Sequence, residues 1–170
     1  PEIANMVTYQ IGAAQAMARA AGGELRHLKL HGALANMASE DAALARVCYE
    51  AALRVQPDIV IMGLAATAME QVARDLGCNW AGEIFADRAY NDDATLVDRS
   101  LPGAVLREPE AITGRILAML KEAANITQSG RRIPCRIDTV CVHGDTPGAL
   151  AMAQALRRGL EQAGVRIARL

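Results

Sequence analysis

The sequence predicts a parallel α/β sheet or barrel, and three observations carry that expectation. Segments with apolar residues at three- and four-residue steps alternate with short apolar runs along the whole chain, the pattern of helices crossing over between parallel strands. One run, Ile59-Val60-Ile61-Met62, is uniformly apolar, as a strand covered on both faces must be. Alanine accounts for 34 of the 170 residues and aromatics for only 3%. Helices are therefore expected to approach closely through small side chains, and an aromatic-rich β-sandwich is disfavoured.

The elements follow in order. Ile3, Met6, Val7, Ile11, Ala14, Met17, Ala18 and Ala21 make one stripe on a 3.6-residue period, and Gly22-Gly23 stops that helix. Glu24 to Leu30 reads as a strand that runs into the polar turn His31-Gly32. Ser39 is a candidate cap for a helix with Leu44, Val47, Cys48, Ala51 and Val55 on one face, ending before Pro57. After the Ile59–Met62 strand, Ala65 to Leu76 is helical and Gly77 ends it. Trp80 to Phe85 is the next strand, followed by a long polar stretch from Ala86 to Ser100 that needs a functional explanation. Pro109 suits the first turn of a helix carrying Ile112, Ile116, Leu117 and Leu120, and Asn125 to Arg132 is a polar connection. Thr139 to Val142 is a strand, Thr146 caps a helix through Ala163, and Val165 to Ala168 begins one more strand.

Charge and cysteine usage narrow the function classes. Eighteen basic residues against 19 acidic give a net charge of -1, so there is no field to gather nucleic acid, and no long uncharged apolar run points to a membrane. Cys48, Cys78, Cys135 and Cys141 form no C-x-x-C pair, which fits reduced thiols in a cytoplasmic enzyme. No signal-peptide pattern opens the sequence.

Polar residues gather after three predicted strands. The clusters are Lys29-Leu30-His31-Gly32 with Asn36, then Glu83 through Tyr90 leading to Arg99-Ser100, and His143-Gly144-Asp145-Thr146. In a parallel sheet or barrel the carboxyl ends of the strands open on one face, so these clusters are expected to converge. His31 and His143 are candidate acid-base groups, because imidazole titrates near neutral pH. Asp145 is a candidate to orient one histidine. Lys29, Arg88 and Arg99 are candidates to bind a carboxylate or phosphoryl group, although Asp87-Arg88 also reads as a local ion pair. Gly144 lies in a loop entering a helix N-terminus, a geometry that presents backbone N–H groups to an anion. His27 reads as structural. With three histidines in the chain, a structural zinc site is not expected.

Taken together, Lys29 through Asn36 (KLHGALAN), Glu83 through Tyr90 (EIFADRAY), Leu96 through Val105 (LVDRSLPGAV) and Cys141 through Gly148 (CVHGDTPG) resemble the LamB/YcsF family, as does Tyr9 through Ala13. Leu30 stands where the family usually has Pro, and Ala35 where it has an aromatic. The resemblance implies a parallel (β/α) barrel of the seven-stranded glycoside hydrolase/deacetylase-like type. Residues 1–170 then form a single domain, the C-terminal two thirds of such a barrel, with the N-terminal strands missing and expected from another segment or another copy of the chain.

It further implies ATP-dependent hydrolysis of the lactam 5-oxo-L-proline to L-glutamate, together with the B and C subunits of 5-oxoprolinase. On that reading His31, His143, Asp145 and Lys29 are catalytic. Asn36, Glu83, Asp87, Arg88, Tyr90, Arg99, Ser100 and Gly144 contact substrate, and ATP is used by the complex. Two other functions fit the same barrel: a metal-dependent deacetylase or amidase, with a divalent ion on His31, His143 and Asp145, or an inactive binding subunit.

Overall fold

The computed structural model describes residues 1–145 and 147–170, so the cap expected at Thr146 lies outside the described residues. The chain divides into two compact units, Pro1–Ala81 and Gly82–Leu170, and both carry parallel strand pairing with helices, as the alternation predicts. Among the described residues no helix is long and apolar enough to cross a membrane.

The first unit holds α1 (Glu2–Ala20), β1 (His27–Lys29), α2 (Gly32–Glu40), α3 (Ala42–Val55), β2 (Val60–Leu64) and α4 (Ala68–Asp75). β1 and β2 pair in parallel, with His27 opposite Val60 and Lys29 opposite Met62. α3 lies between α1 and α4 and buries Ala45, Cys48, Tyr49, Ala51 and Ala52. Three alanines on one buried face let the helix axes come close, which is the use the composition predicts for them. The apolar stripe of α1 is narrower than its periodicity predicts: Val7 and Ile11 are buried, but Met6 and Met17 are 41% and 73% exposed. Close approach also fixes Gly63 in β2. A Cβ there would lie 3.2 Å from the Tyr49 hydroxyl and 3.3 Å from Met69 Cβ.

The expected cap is displaced. Ser39 lies inside α2, a helix the sequence reading did not foresee, and its hydroxyl donates to the Asn36 carbonyl at 2.6 Å. Asp41 caps α3 instead, accepting the Leu44 N–H at 3.0 Å. Asp41→Ala should therefore lower thermal stability by about 1 kcal/mol, read by calorimetry, whereas the same change at Ser39 leaves the α3 terminus capped.

The second unit takes the last residues of β3 (Trp80–Phe85), then α5 (Pro109–Glu122), β4 (Ala124–Ile126), β5 (Arg132–Pro134), β6 (Thr139–Cys141) and α6 (Ala149–Gln162). β3 and β6 are parallel, with Glu83 opposite Thr139 and Phe85 opposite Cys141. Pro109 opens α5 as expected, and Ile112, Ile116 and Met119 face inward. The segment expected as a polar connection is partly a hairpin: Ala124 to Ile126 pairs antiparallel with Arg132 to Pro134. The Gly130 N–H reaches back to the Thr127 carbonyl at 3.0 Å, and Gly130 takes a φ of 86°, which closes the turn. Val165 to Ala168, expected as a strand, is not one. The Val165 N–H instead closes the end of α6 on the Leu160 carbonyl at 2.9 Å.

Candidate active site

The first unit positions three of the candidate residues. Lys29 is the last residue of β1, at the strand's carboxyl end, and is half-buried. His31 is exposed, in extended backbone, and is the N-cap residue of α2. Asn36 lies exposed within α2.

The second unit builds a specific pair. Phe85 and Cys141 are opposite one another in the parallel register. Two residues beyond each strand's partner stand Asp87 and His143, and the register carries them to the same level. His143 Nδ1 lies 2.9 Å from both carboxylate oxygens of Asp87. The Asp87 side chain is 3% exposed and that of His143 25%. A carboxylate accepts at such a contact, so the arrangement favours the form in which Nδ1 donates and Nε2 is the ring's other nitrogen. Phe85 meets the imidazole edge-on, with centroids 5.1 Å apart and planes at 75°. The ring is therefore held by a hydrogen bond at one nitrogen and an aromatic contact on its side, with its remaining exposure open to a reactant.

Several expectations change here. Asp145 does not orient a histidine: it is exposed and pairs with Arg99, whose Nη1 lies 3.6 Å from its carboxylate. Asp87 takes the orienting role instead. Asp87 and Arg88 do not form the adjacent ion pair, because the Arg88 Nη2 donates to the Val97 carbonyl at 2.7 Å, within the loop. Arg88 is 4% exposed and its Nε is buried without a hydrogen-bond partner. Burial first, and then the neighbouring Arg99 charge, hold its guanidinium below the ordinary value, against the pull of Asp87, Tyr90 and Asp98. Arg88 thus braces the loop from inside, and Arg99 is the more accessible cation of the two. Tyr90 is fully buried, so it supports the loop and offers no surface to a substrate. Glu83 is buried within β3. Ser100 donates both its N–H and its hydroxyl to Asp98, each at 2.8 Å. These bonds hold the Asp98 carboxyl below the usual carboxylate range. Gly144 is exposed beside His143.

No group of three or more His, Cys, Asp or Glu side chains among the described residues is placed to hold a metal ion. Asp145, one of the residues named for a divalent ion, is paired with Arg99.

The model of the LamB/YcsF family matches residues 1–170. The chain belongs to the LamB/YcsF family. Its relatives include the 5-oxoprolinase A-subunit of Ruegeria pomeroyi, 57% identical over 163 residues that cover 96% of this chain and 64% of the relative. That of Coprothermobacter proteolyticus is 46% identical over 169 residues, covering 99% of this chain and 65% of the relative. The chain spans about two thirds of the length of these curated LamB/YcsF relatives. Among solved structures, a lactam utilization protein from Thermus thermophilus superposes with a TM-score of 0.88 at 37% identity, over 99% of this chain and 67% of the other. The α/β fold with parallel strands is thus a LamB/YcsF fold, and the relatives' name, which marks each as one lettered subunit, places them in a complex of several chains.

Proposed function

We propose that this chain acts as part of a 5-oxoprolinase A-subunit in the ATP-dependent hydrolysis of 5-oxo-L-proline to L-glutamate, with the B and C subunits as partners. Residues 1–170 would form the C-terminal two thirds of a seven-stranded barrel. The observation that carries the catalytic reading is the buried Asp87 carboxylate on His143 Nδ1, together with relatives of that name.

Resonance makes the lactam carbonyl a poor electrophile, and phosphorylation of the amide oxygen would turn that oxygen into a leaving group. On this reading the partner subunits activate the lactam, and the present chain completes the hydrolysis. His143 Nε2 takes a proton from the attacking water, Asp87 stabilises the imidazolium that forms, and the proton passes to the lactam ring nitrogen as the C–N bond breaks. A second water then hydrolyses the acyl phosphate left behind, releasing phosphate and glutamate. Arg99 and Lys29 bind the substrate carboxylate or the phosphoryl group. His31 is a second proton-transfer group, Asn36, Glu83, Ser100 and Gly144 complete the surroundings, and the place of ATP is on the complex.

The test is 5-oxoproline-dependent ATP hydrolysis and glutamate release, assayed with the B and C subunits and with the remaining third of the family length supplied. Lys29→Ala should lower glutamate formation by about 10²-fold or more. Unchanged turnover in the variant removes Lys29 from the site. Loss of turnover with a transition-metal chelator in excess Mg²⁺ would instead favour the metal-dependent amidase.

A further inference from the structure

The loop that carries Asp87 is tied across its own ends by one side chain. Tyr90 is fully buried, and its hydroxyl oxygen accepts the Phe85 N–H at 2.6 Å. The Arg115 guanidinium lies over the Tyr90 ring, 5.2 Å from its centroid, and is itself fixed by an Nη2 hydrogen bond to the Ile126 carbonyl at 3.1 Å. The Tyr90 carbonyl accepts the Gln128 N–H at 2.9 Å. Backbone and side chain of Tyr90 are thus both committed, and the segment from Phe85 to Tyr90 is a closed ring of fixed shape. Burial pushes the phenol far above its ordinary range, so it stays neutral.

Two groups in contact with His143 are within that ring. Phe85 supplies the edge-on aromatic contact, and Asp87 supplies the carboxylate on Nδ1. Both oxygens of that carboxylate lie 2.9 Å from His143 Nδ1, and a misplacement of about 1 Å in such a constellation is costly.

We propose that Tyr90 is a positioning residue: by bonding the Phe85 N–H it fixes Phe85 and Asp87, and through them the tautomer and aim of His143. For turnover this rests on the reading of His143 as the acid-base group, but the positioning itself has its own readout. The bland alternative is that Tyr90 is a large core residue and nothing more. Tyr90→Phe separates the two, because it keeps the ring and the Arg115 contact and removes only the hydroxyl.

The experiment uses the ¹⁵N-labelled full chain. In the wild type the Phe85 amide must exchange slowly with solvent, and the His143 Nδ1–H must be visible as a downfield proton signal. Rapid exchange at Phe85 overturns the proposal before any variant is made. In Tyr90→Phe, Phe85 protection should fall by roughly tenfold or more and the Nδ1–H signal should broaden or vanish. Asp41→Ala, which removes the cap of α3 in the first unit, should leave that signal in place below its melting temperature. An unchanged signal in Tyr90→Phe, or an equal loss in Asp41→Ala, reduces Tyr90 to a core residue.

In the assembled enzyme Tyr90→Phe should lower kcat by about 10- to 100-fold with KM held within about twofold. A wild-type enzyme without lactam turnover, but with the expected spectra, sinks the proposed function and leaves the positioning role standing. Turnover in Tyr90→Phe equal to wild type removes the positioning role and leaves the function.

Discussion

Asp87→Asn should lower turnover of the assembled enzyme by about 10²- to 10⁴-fold while the fold is retained. Asparagine has the shape of aspartate, so the buried space is filled as before. Its amide can present an NH₂ to Nδ1, however, and a neutral ring accepting there carries its proton on Nε2, where it can no longer serve as a base. The negative charge that would stabilise an imidazolium is lost in the same step. Because Asp87 acts through His143, the two substitutions should not add. His143→Ala should cost about as much alone as in combination with Asp87→Asn. If Asp87 merely anchored its loop, the double variant would be worse than either single one by the product of their effects. Activity of Asp87→Asn within twofold of wild type would show that His143 keeps its tautomer by other means, and the pair would lose its catalytic reading.

The partner of Asp87 shows where the sequence was legible and where it was not. The apolar run Ile59 to Met62 located β2, because a strand with helices against both faces must be apolar along its length. β1 was legible as a loose alternation over Glu24 to Leu30, and the segments Trp80 to Phe85 and Thr139 to Val142 hold β3 and β6. The polar residues just past those strands stood out for the same reason. Which of them touch depends on register, and register is a tertiary property. The adjacent Arg88 looked like the partner of Asp87, yet side chains at consecutive positions of extended chain point apart. Arg88 turned into its own loop, and Asp87 reached a histidine 56 positions on. One signal was present: Asp87 and His143 each follow their predicted strand at a similar distance, and level pairing of Trp80–Phe85 with Thr139–Val142 would have brought them together.

Local competition hid other features. Ser39 and Asp41 are both good caps, and only the Leu44 N–H direction decides between them. The three-residue strands β4 and β5 are too short for any periodicity to show. The resemblance implies Tyr90 as a ligand contact, and only its burial, a tertiary property, shows that it faces inward.

Gly159→Ala tests the composition itself, since it makes one small residue into the next smallest. In a helix interior that change normally stabilises by about 1 kcal/mol. Here the new Cβ would sit 2.3 Å from Thr113 Cγ2 on α5, far inside van der Waals contact. The methyl cannot swing away freely. Threonine is stiff at χ1, and its Oγ1 donates to the Pro109 carbonyl at 2.8 Å, a bond that rotation would break. Overpacking of this kind costs about 1–3 kcal/mol, which outweighs the propensity gain. The thermal midpoint should therefore fall by up to about 8 °C where propensity alone predicts a rise. Thr113→Ser removes the offending methyl and keeps the hydroxyl. In that background Gly159→Ala should raise the midpoint instead, and the reversal of sign, read by calorimetry on the four proteins of the cycle, assigns the effect to this one contact. A fall of equal size in both backgrounds would place the cause elsewhere in α6, and the close approach of the two helices would not be what glycine serves.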